Sequence, residues 1–289
     1  LIGHYGPTAD AWLDRVPHLF TTAGRQWNLI LTGYHDAGHA SALATGTDSR
    51  GRAVLLKAWP DPSRYAREVA ALRLWHPGPG RIVLAADDDL SVAALRRIGH
   101  KPGGEEPPDD ETIVVAEVIQ QAHRIGRSVP PGTFPPLSDH LRDEVLPRVR
   151  SRRSGSSYGR LAARVAVHTD GLAEEQGRRT VLHADLYREN VAFTDQRRPV
   201  LLDPVPMDGD ALFDWAFWTL YYRLGDGTQE RLRQAASRSG IRRSRIIPWC
   251  LLIGIDGLLY YEENGDRRAD RMATVLDALC SQVEGRQAR

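Results

Sequence analysis

The segment from Val181 to Trp215, VLHADLYRENVAFTDQRRPVLLDPVPMDGDALFDW, constrains this chain most. Its pattern predicts a strand, a polar loop, a short strand, a second strand ending on Asp203, an acidic turn, and the start of an aromatic helix. The loop carries His183, Asp185 and Asn190. One hairpin can gather Asp185, Asn190 and Asp203. Carboxylate and amide oxygens suit a hard divalent cation, and a carboxylate beside a hydroxyl nucleophile accepts its proton. A plain polar turn would use Asp and Asn only to cap backbone groups. That alternative leaves LLDP at a strand end, followed by GDALFDW, unexplained.

Bulk properties bound the rest. The chain has 289 residues, enough for one large domain or two small ones. Its 42% of hydrophobic residues can bury a real core, and a formal net charge of +1 gives no global field toward nucleic acid or an anionic membrane. A monomer or weak dimer is expected. Lys57 and Lys101 are the only lysines, so a lysine inside the apolar run AVLLKAW is conspicuous. Cys250 and Cys280 lie in apolar helical sequence and read as buried free thiols. No apolar run reaches the ~18 residues of a membrane span. The N-terminus lacks a basic-then-apolar leader pattern, and the cytoplasm is the expected location.

In chain order, residues 8–23 predict one or two amphipathic helical turns, with Pro17 breaking any longer helix. NLILTG, ASALATGT, RAVLLKAW, RIVLAAD and SVAALRRI then read as short strands, the first three an antiparallel meander. SRYAREVAALRLW, with Tyr65, Val69 and Leu72 at helical spacing, reads as a helix packed on that sheet. GHKPGGEEPPDD, residues 99–110, has the composition of a connector. Helical periodicity dominates afterwards, broken by SVPPGTFPP and by the hairpin. Four helices are predicted near 210–224, 227–239, 246–262 and 267–284. The expected fold is α+β: residues 1–98 a nucleotide-binding lobe with a small antiparallel sheet and one helix, 99–110 a hinge, and 111–289 a larger, mainly helical lobe for catalysis and acceptor binding.

Other candidate residues take meaning from the hairpin. Lys57 on a strand and Glu68 on the following helix could pair and hold a phosphate. His183 reads as a structural ring bonded to backbone, and Asp210 and Asp214 as braces of the loop. Phe213, Trp215, Phe217 and Trp218 read as core. GYHDAGHASALATG should cover the phosphates, although it is poor in glycine, and His35 and His39 within it read as solvent-facing. Glu262, Glu263, Asp266 and Asp270 crowd YYEENGDRRAD. They would draw a cationic acceptor if they faced the site; a solvated helix end balanced by Arg267 and Arg268 explains them equally well.

VLHADLYRENV, LLDPVPMDGDALFDW, GIDGLLYYEENGD, VLLKAW and REVAALRLW together resemble the aminoglycoside phosphotransferase family, in its streptomycin 6-kinase and hydroxyurea phosphotransferase branch, from about Leu29 onward. The resemblance implies a bilobal protein-kinase-like fold and Mg²⁺-dependent transfer of the γ-phosphoryl group of ATP, with GTP left open, to a hydroxyl of a streptomycin-like antibiotic. It implies Asp185 as catalytic base, Asn190 and Asp203 as Mg²⁺ ligands, and Lys57 with Glu68 as the phosphate-positioning pair. It also implies an adenine-binding hinge at Arg96, Arg97 and Ile98. Many relatives carry glycine where Ala184 stands and an acidic residue where Arg96 stands. A kinase of another small metabolite (hydroxyurea, a sugar or a choline-like compound) and a non-catalytic binding protein of the same fold are the alternatives.

Overall fold

The computed structural model describes residues 6, 8–35, 40–99, 104–169, 171–172 and 177–287. The chain forms two compact units. The first comprises residues 1–106 together with 192–196 and 202–205; the second comprises 107–191, 197–201 and 206–289.

Unit 1 is built on a five-stranded antiparallel sheet of order β1-β2-β3-β5-β4. The strands are β1 (Ile30–His35), β2 (Ala42–Thr47), β3 (Ala53–Ala58), β4 (Val83–Asp87) and β5 (Val92–Arg96). Side chains alternate faces along a strand. On β3, Val54, Leu56 and Ala58 point to one face, where they pack with Val16, Leu19, Phe20 and Ala23. Those four lie on α2 (Val16–Gln26), which follows the short α1 (Thr8–Leu13). Pro17 therefore does not break this helix. It sits in the first turn of α2, where a missing N–H costs nothing.

Lys57 points to the opposite face of β3, toward α3 (Pro62–Trp75). Asp61 caps α3 by accepting from the Ser63 N–H at 2.8 Å, and Pro62 occupies its first turn. Tyr65, Glu68, Val69, Leu72 and Trp75 form the buried stripe of α3. A carboxylate within that stripe needs a partner, and the sheet supplies one.

Unit 2 is mainly helical. Its helices are α4 (Glu111–Gly126), α5 (residues 137–153), α6 (Gly159–Thr169), α7 (Leu212–Tyr221), α8 (Thr228–Ser239), α9 (Arg243–Glu263) and α10 (Arg268–Gln287). Strand β6 (Arg179–Leu182) pairs antiparallel with β9 (Met207–Asp210). Between these two in sequence come the short strands β7 (Val191–Phe193) and β8 (Pro199–Leu201). Gly126 lets α4 lie on β6: a Cβ there would stand 2.5 Å from Thr180 Oγ1 and 2.7 Å from the Val181 nitrogen.

Helix α5 widens to a π turn at Leu141–Val145. Pro147 explains it: proline donates no backbone hydrogen bond, and its ring crowds the carbonyl four residues back. At the far end of α7, the buried Arg231 of α8 donates to the carbonyls of Thr219 (3.0 Å) and Arg223 (2.8 Å), satisfying acceptors that a helix terminus leaves open. Burial lowers its pKa to about 10. Cys250 and Cys280 are buried free thiols. Among the described residues, no helix is long and apolar enough to cross a membrane.

Candidate active site

Two groups of polar residues stand out, one in each unit. In unit 1, the Lys57 ammonium is 4% exposed and donates to Glu68 Oε1 at 2.6 Å and to Asp203 Oδ1 at 3.0 Å. Glu68, 1% exposed, also accepts from the Trp59 indole at 2.7 Å, and Lys57 Nζ stands 5.0 Å from the centre of that ring. Burial alone would push the Lys57 pKa down, but the charges of Asp203 and Glu68 outweigh it and the value ends above the usual one. Burial pushes Glu68 up, while Lys57 and Trp59 both donate to its carboxylate. A lysine held as a cation by two carboxylates is a fixed positive charge suited to a phosphate.

The Asp203 side chain is 52% exposed. Its backbone φ of +53° lies in the left-handed region, where aspartate is among the few non-glycine residues regularly found. Trp59 was missing from the candidates. It lies two residues beyond Lys57, the spacing that returns a side chain to the same face of a strand.

In unit 2, the loop after β6 is held from α7. Asp214, 1% exposed, lies in the first turn of that helix. Its Oδ2 accepts from the His183 backbone N–H at 2.9 Å and bonds His123 Nε2 at 2.9 Å; its Oδ1 accepts from the Ala184 N–H at 2.8 Å. This clamp holds Ala184 at φ +59°, where glycine would be unstrained. The Asp185 N–H then meets His183 Nδ1 at 3.3 Å, so the His183 ring is bonded to backbone within the loop, as expected. Asp210 accepts from the Leu212 N–H at 3.0 Å and so caps α7.

The Asn190 amide donates to the Asp185 carbonyl at 2.7 Å and to Asp185 Oδ2 at 2.8 Å. With its nitrogen so used, Asn190 Oδ1 is the atom it can offer a cation. Arg188, in the same loop, pairs with Glu111 at 2.9 Å and donates to the Val191 carbonyl at 2.8 Å.

A cavity of about 410 Å³ adjoins this loop in unit 2. Ala184 and Tyr187, on either side of Asp185, line it, with Phe213, Phe217 and Tyr221 of α7, Arg148 and Arg152 of α5, Asp256, Tyr260 and Tyr261 of α9, and Arg268. Phe213, Trp215, Phe217 and Trp218 are all buried, as core residues should be, yet Phe213 and Phe217 also face the cavity. Gly257 permits the arrangement: a Cβ there would stand 1.9 Å from the Tyr221 hydroxyl, which donates to the Ile253 carbonyl at 3.0 Å.

The acidic residues expected to attract an acceptor are elsewhere. Glu262 accepts from Ser156 and Ser157, Glu263 pairs with Arg152 at 2.7 Å, Asp266 with Arg268 at 2.6 Å, and Asp270 accepts from Tyr158 at 2.7 Å. None of the four lines the cavity.

At the expected adenine hinge, the Arg96 N–H goes to the Ile82 carbonyl at 2.7 Å and the Arg97 N–H to Ala53 at 3.4 Å. Their backbone donors belong to the sheet, and the Arg96 side chain reaches the Gly80 carbonyl at 2.8 Å. Ile98 is buried. Of the phosphate-loop candidates, residues 36–39, His39 included, lie outside the described residues, as do hinge residues 100–103; His35 ends β1. Among the described residues, no three His, Cys, Asp or Glu side chains form a metal-binding group.

Residues 26–265 match the model of the aminoglycoside/hydroxyurea antibiotic resistance kinase family. The chain belongs to that family. It is a phosphotransferase acting on hydroxyl groups. It is 26% identical over 273 residues to a streptomycin 6-kinase of Streptomyces griseus, covering 90% of this chain and 87% of the relative. The fold is kinase-like. A choline kinase from Streptococcus pneumoniae superposes with a TM-score of 0.62 at 13% identity, covering 93% of this chain and 99% of that one. A structure of LicA in complex with AMP gives 0.56 at 15% identity, covering 87% and 93%.

Proposed function

We propose that this phosphotransferase moves the γ-phosphoryl group of ATP to a hydroxyl of a small antibiotic-type molecule. The observation that carries the reading is the buried Lys57 ammonium held between Glu68 and Asp203. In a kinase-like fold such a cation is suited to grip phosphate oxygens. Two of its N–H groups serve the carboxylates, and the third would take a phosphate oxygen. The neighbour solved with AMP supports a nucleotide donor.

In this reading Asp185 orients the acceptor hydroxyl and takes its proton. Asn190 fixes the Asp185 carboxylate through the bond to Oδ2. Asn190 Oδ1 and the half-exposed Asp203 carboxylate would hold Mg²⁺, which when bound neutralises charge on the phosphates. Two such oxygens fit that ion, because Mg²⁺ on a nucleotide usually takes few protein ligands and completes its shell with phosphate and water. Arg96, Arg97 and Ile98 stay assigned to the adenine side of the donor site. The acceptor of the Streptomyces griseus relative makes streptomycin the first compound to test.

Coupled ADP release is the assay. Asp185→Asn should lower turnover by about 10²-fold or more, the scale of a lost general base. Near-normal turnover in that variant refutes the assignment.

A further inference from the structure

The loop that carries Asp185 and Asn190 has two ends to be held. Asp214, in the first turn of α7, clamps residues 183 and 184 at the first. The second end is a single 3₁₀ turn, Arg188–Asn190, which passes straight into β7. So short a turn has little hydrogen bonding of its own. The Asn190 N–H reaches the Tyr187 carbonyl at 3.2 Å, and the Tyr187 N–H reaches the Asp185 carbonyl at 3.0 Å. Arg188 adds a longer staple: its Nη1 donates to the Val191 carbonyl at 2.8 Å, so the guanidinium spans the turn that contains Asn190.

A long arginine side chain loses much rotamer freedom when it is fixed, so it holds a turn well only if the guanidinium is itself held. Glu111, the first residue of α4, does this: its Oε1 lies 2.9 Å from Arg188 Nε. The same oxygen accepts from the Tyr222 hydroxyl at 2.8 Å, and Oε2 accepts from Arg223 at 2.7 Å. Tyr222 and Arg223 directly follow α7, and the Arg188 guanidinium stands 6.0 Å from the centre of the Tyr222 ring. Burial and the neighbouring Glu111 charge push the Tyr222 hydroxyl pKa up, so it remains a donor. The side chains of Glu111 and Arg188 are 14% and 23% exposed, which shields their pair from solvent. Helix α7 therefore supports the loop twice, through Asp214 at its start and through Tyr222, Arg223 and Glu111 just beyond its end.

The geometry points to Glu111 as a positioning residue for phosphoryl transfer: through Arg188 it sets where Asn190 stands. This rests on the reading above, in which Asn190 fixes the Asp185 carboxylate and offers Oδ1 to Mg²⁺. Neither Glu111 nor Arg188 lines the cavity beside the loop. Without Glu111, Arg188 can turn into water and Arg223 is already exposed, so the fold survives while the turn loosens.

Two measurements test this. The first is residue-resolved amide hydrogen exchange on the intact, ligand-free enzyme. Glu111→Ala and Arg188→Ala should each speed exchange at Tyr187 and Asn190 by about tenfold, the scale of one lost charge-assisted hydrogen bond, and leave His183 and Ala184 at the wild-type rate. The second is ADP release over an acceptor panel of streptomycin, hydroxyurea, glucose and choline. Glu111→Ala should lower kcat and raise the Mg²⁺ concentration for half-maximal rate, each by about tenfold, the usual cost of losing a group that orients a metal ligand, with little change in acceptor KM. The double variant should be no worse than Arg188→Ala alone, because both changes cut one linkage. The proposal is overturned if exchange at Tyr187 and Asn190 is unchanged in Glu111→Ala, if kcat and the Mg²⁺ requirement both stay at wild type, or if the two losses multiply in the double variant. If no acceptor turns over, the exchange result decides alone. Asn190→Ala separates the two claims. If it leaves the Mg²⁺ requirement unchanged, the reading of Asn190 fails; if it raises that requirement while Glu111→Ala does not, only the positioning role fails.

Discussion

Replacing Asp214 by alanine should damage unit 2 more than any other single change to a charged side chain there. Its carboxylate is buried and accepts the His183 N–H, the Ala184 N–H and a bond from His123, all at 2.8–2.9 Å. Alanine leaves three donors facing no acceptor. At about 1–3 kcal/mol for each buried group left unpaired, with some relief from entering water, the loss is about 3–6 kcal/mol. For a protein of this size that corresponds to a fall in Tm of about 6–20 °C. Asp214→Asn keeps the shape and one acceptor oxygen but turns an NH₂ toward a donor, so it should lose about half as much. Scanning calorimetry at pH 7 measures both, and turnover per folded molecule should also fall, because Asp185 sits one residue beyond the clamp. An Asp214→Ala protein melting within about 2 °C of wild type, beyond which the ledger of unpaired donors cannot stretch, would refute the reasoning.

Two further changes test the local physics. Ala184→Gly removes the cost of a left-handed alanine, about 1–2 kcal/mol, against a smaller entropic loss in the unfolded chain; thermal unfolding should show a gain of about 1 kcal/mol, whereas Ala184→Val should destabilise. Burial pushes the Glu262 carboxyl up, but hydrogen bonds from Ser156 and Ser157 outweigh it and its pKa lies below the ordinary glutamate value of 4.5. A carboxylate whose pKa is depressed on folding stabilises above its unfolded value and loses that contribution as pH falls through its folded value. Glu262→Gln should therefore lower Tm by about 1–3 °C at pH 7, and the gap should shrink as pH falls below the ordinary glutamate value of 4.5; a gap independent of pH would contradict this.

Most of the fold was legible because it rests on periodicity. The five apolar runs became β1 to β5, and the four late helices fall where the spacing of apolar residues put them, α9 spanning Arg243–Glu263 for a predicted 246–262. Pro17 misled because proline has opposite meanings at the start and in the middle of a helix, and residue type alone does not say which applies. That residues 192–196 and 202–205 join unit 1 could not be seen in chain order, since it depends on contacts between distant segments.

The site divides in the same way. Asp185, Asn190 and Asp203 stand out as candidates by type and spacing, and Glu68 as the acid eleven residues after Lys57 on the next helix. The run Glu262, Glu263, Asp266 and Asp270 looked like a cation-attracting surface because sequence shows charges without their partners. Ser156, Ser157, Arg152, Arg268 and Tyr158 hold these groups from far along the chain or from the opposite side of a turn. Asp256, inside an apolar helix, was the better pointer to the cavity. A carboxylate there has to be paired, and its partners Arg148 and Arg152 form the cavity wall.

The central claim is phosphoryl transfer from ATP by the Lys57, Asp203 and Asp185 groups, and the most direct measurement follows the phosphate itself. γ-Labelled ATP is incubated with the enzyme and the acceptor panel, and the products are separated. The account predicts label in an organic phosphate ester only when Mg²⁺ is present, with the transfer abolished by Asp185→Asn and Asp203→Asn and strongly reduced by Lys57→Ala. Label that stays in ATP with every acceptor, or transfer that survives these substitutions, would contradict it.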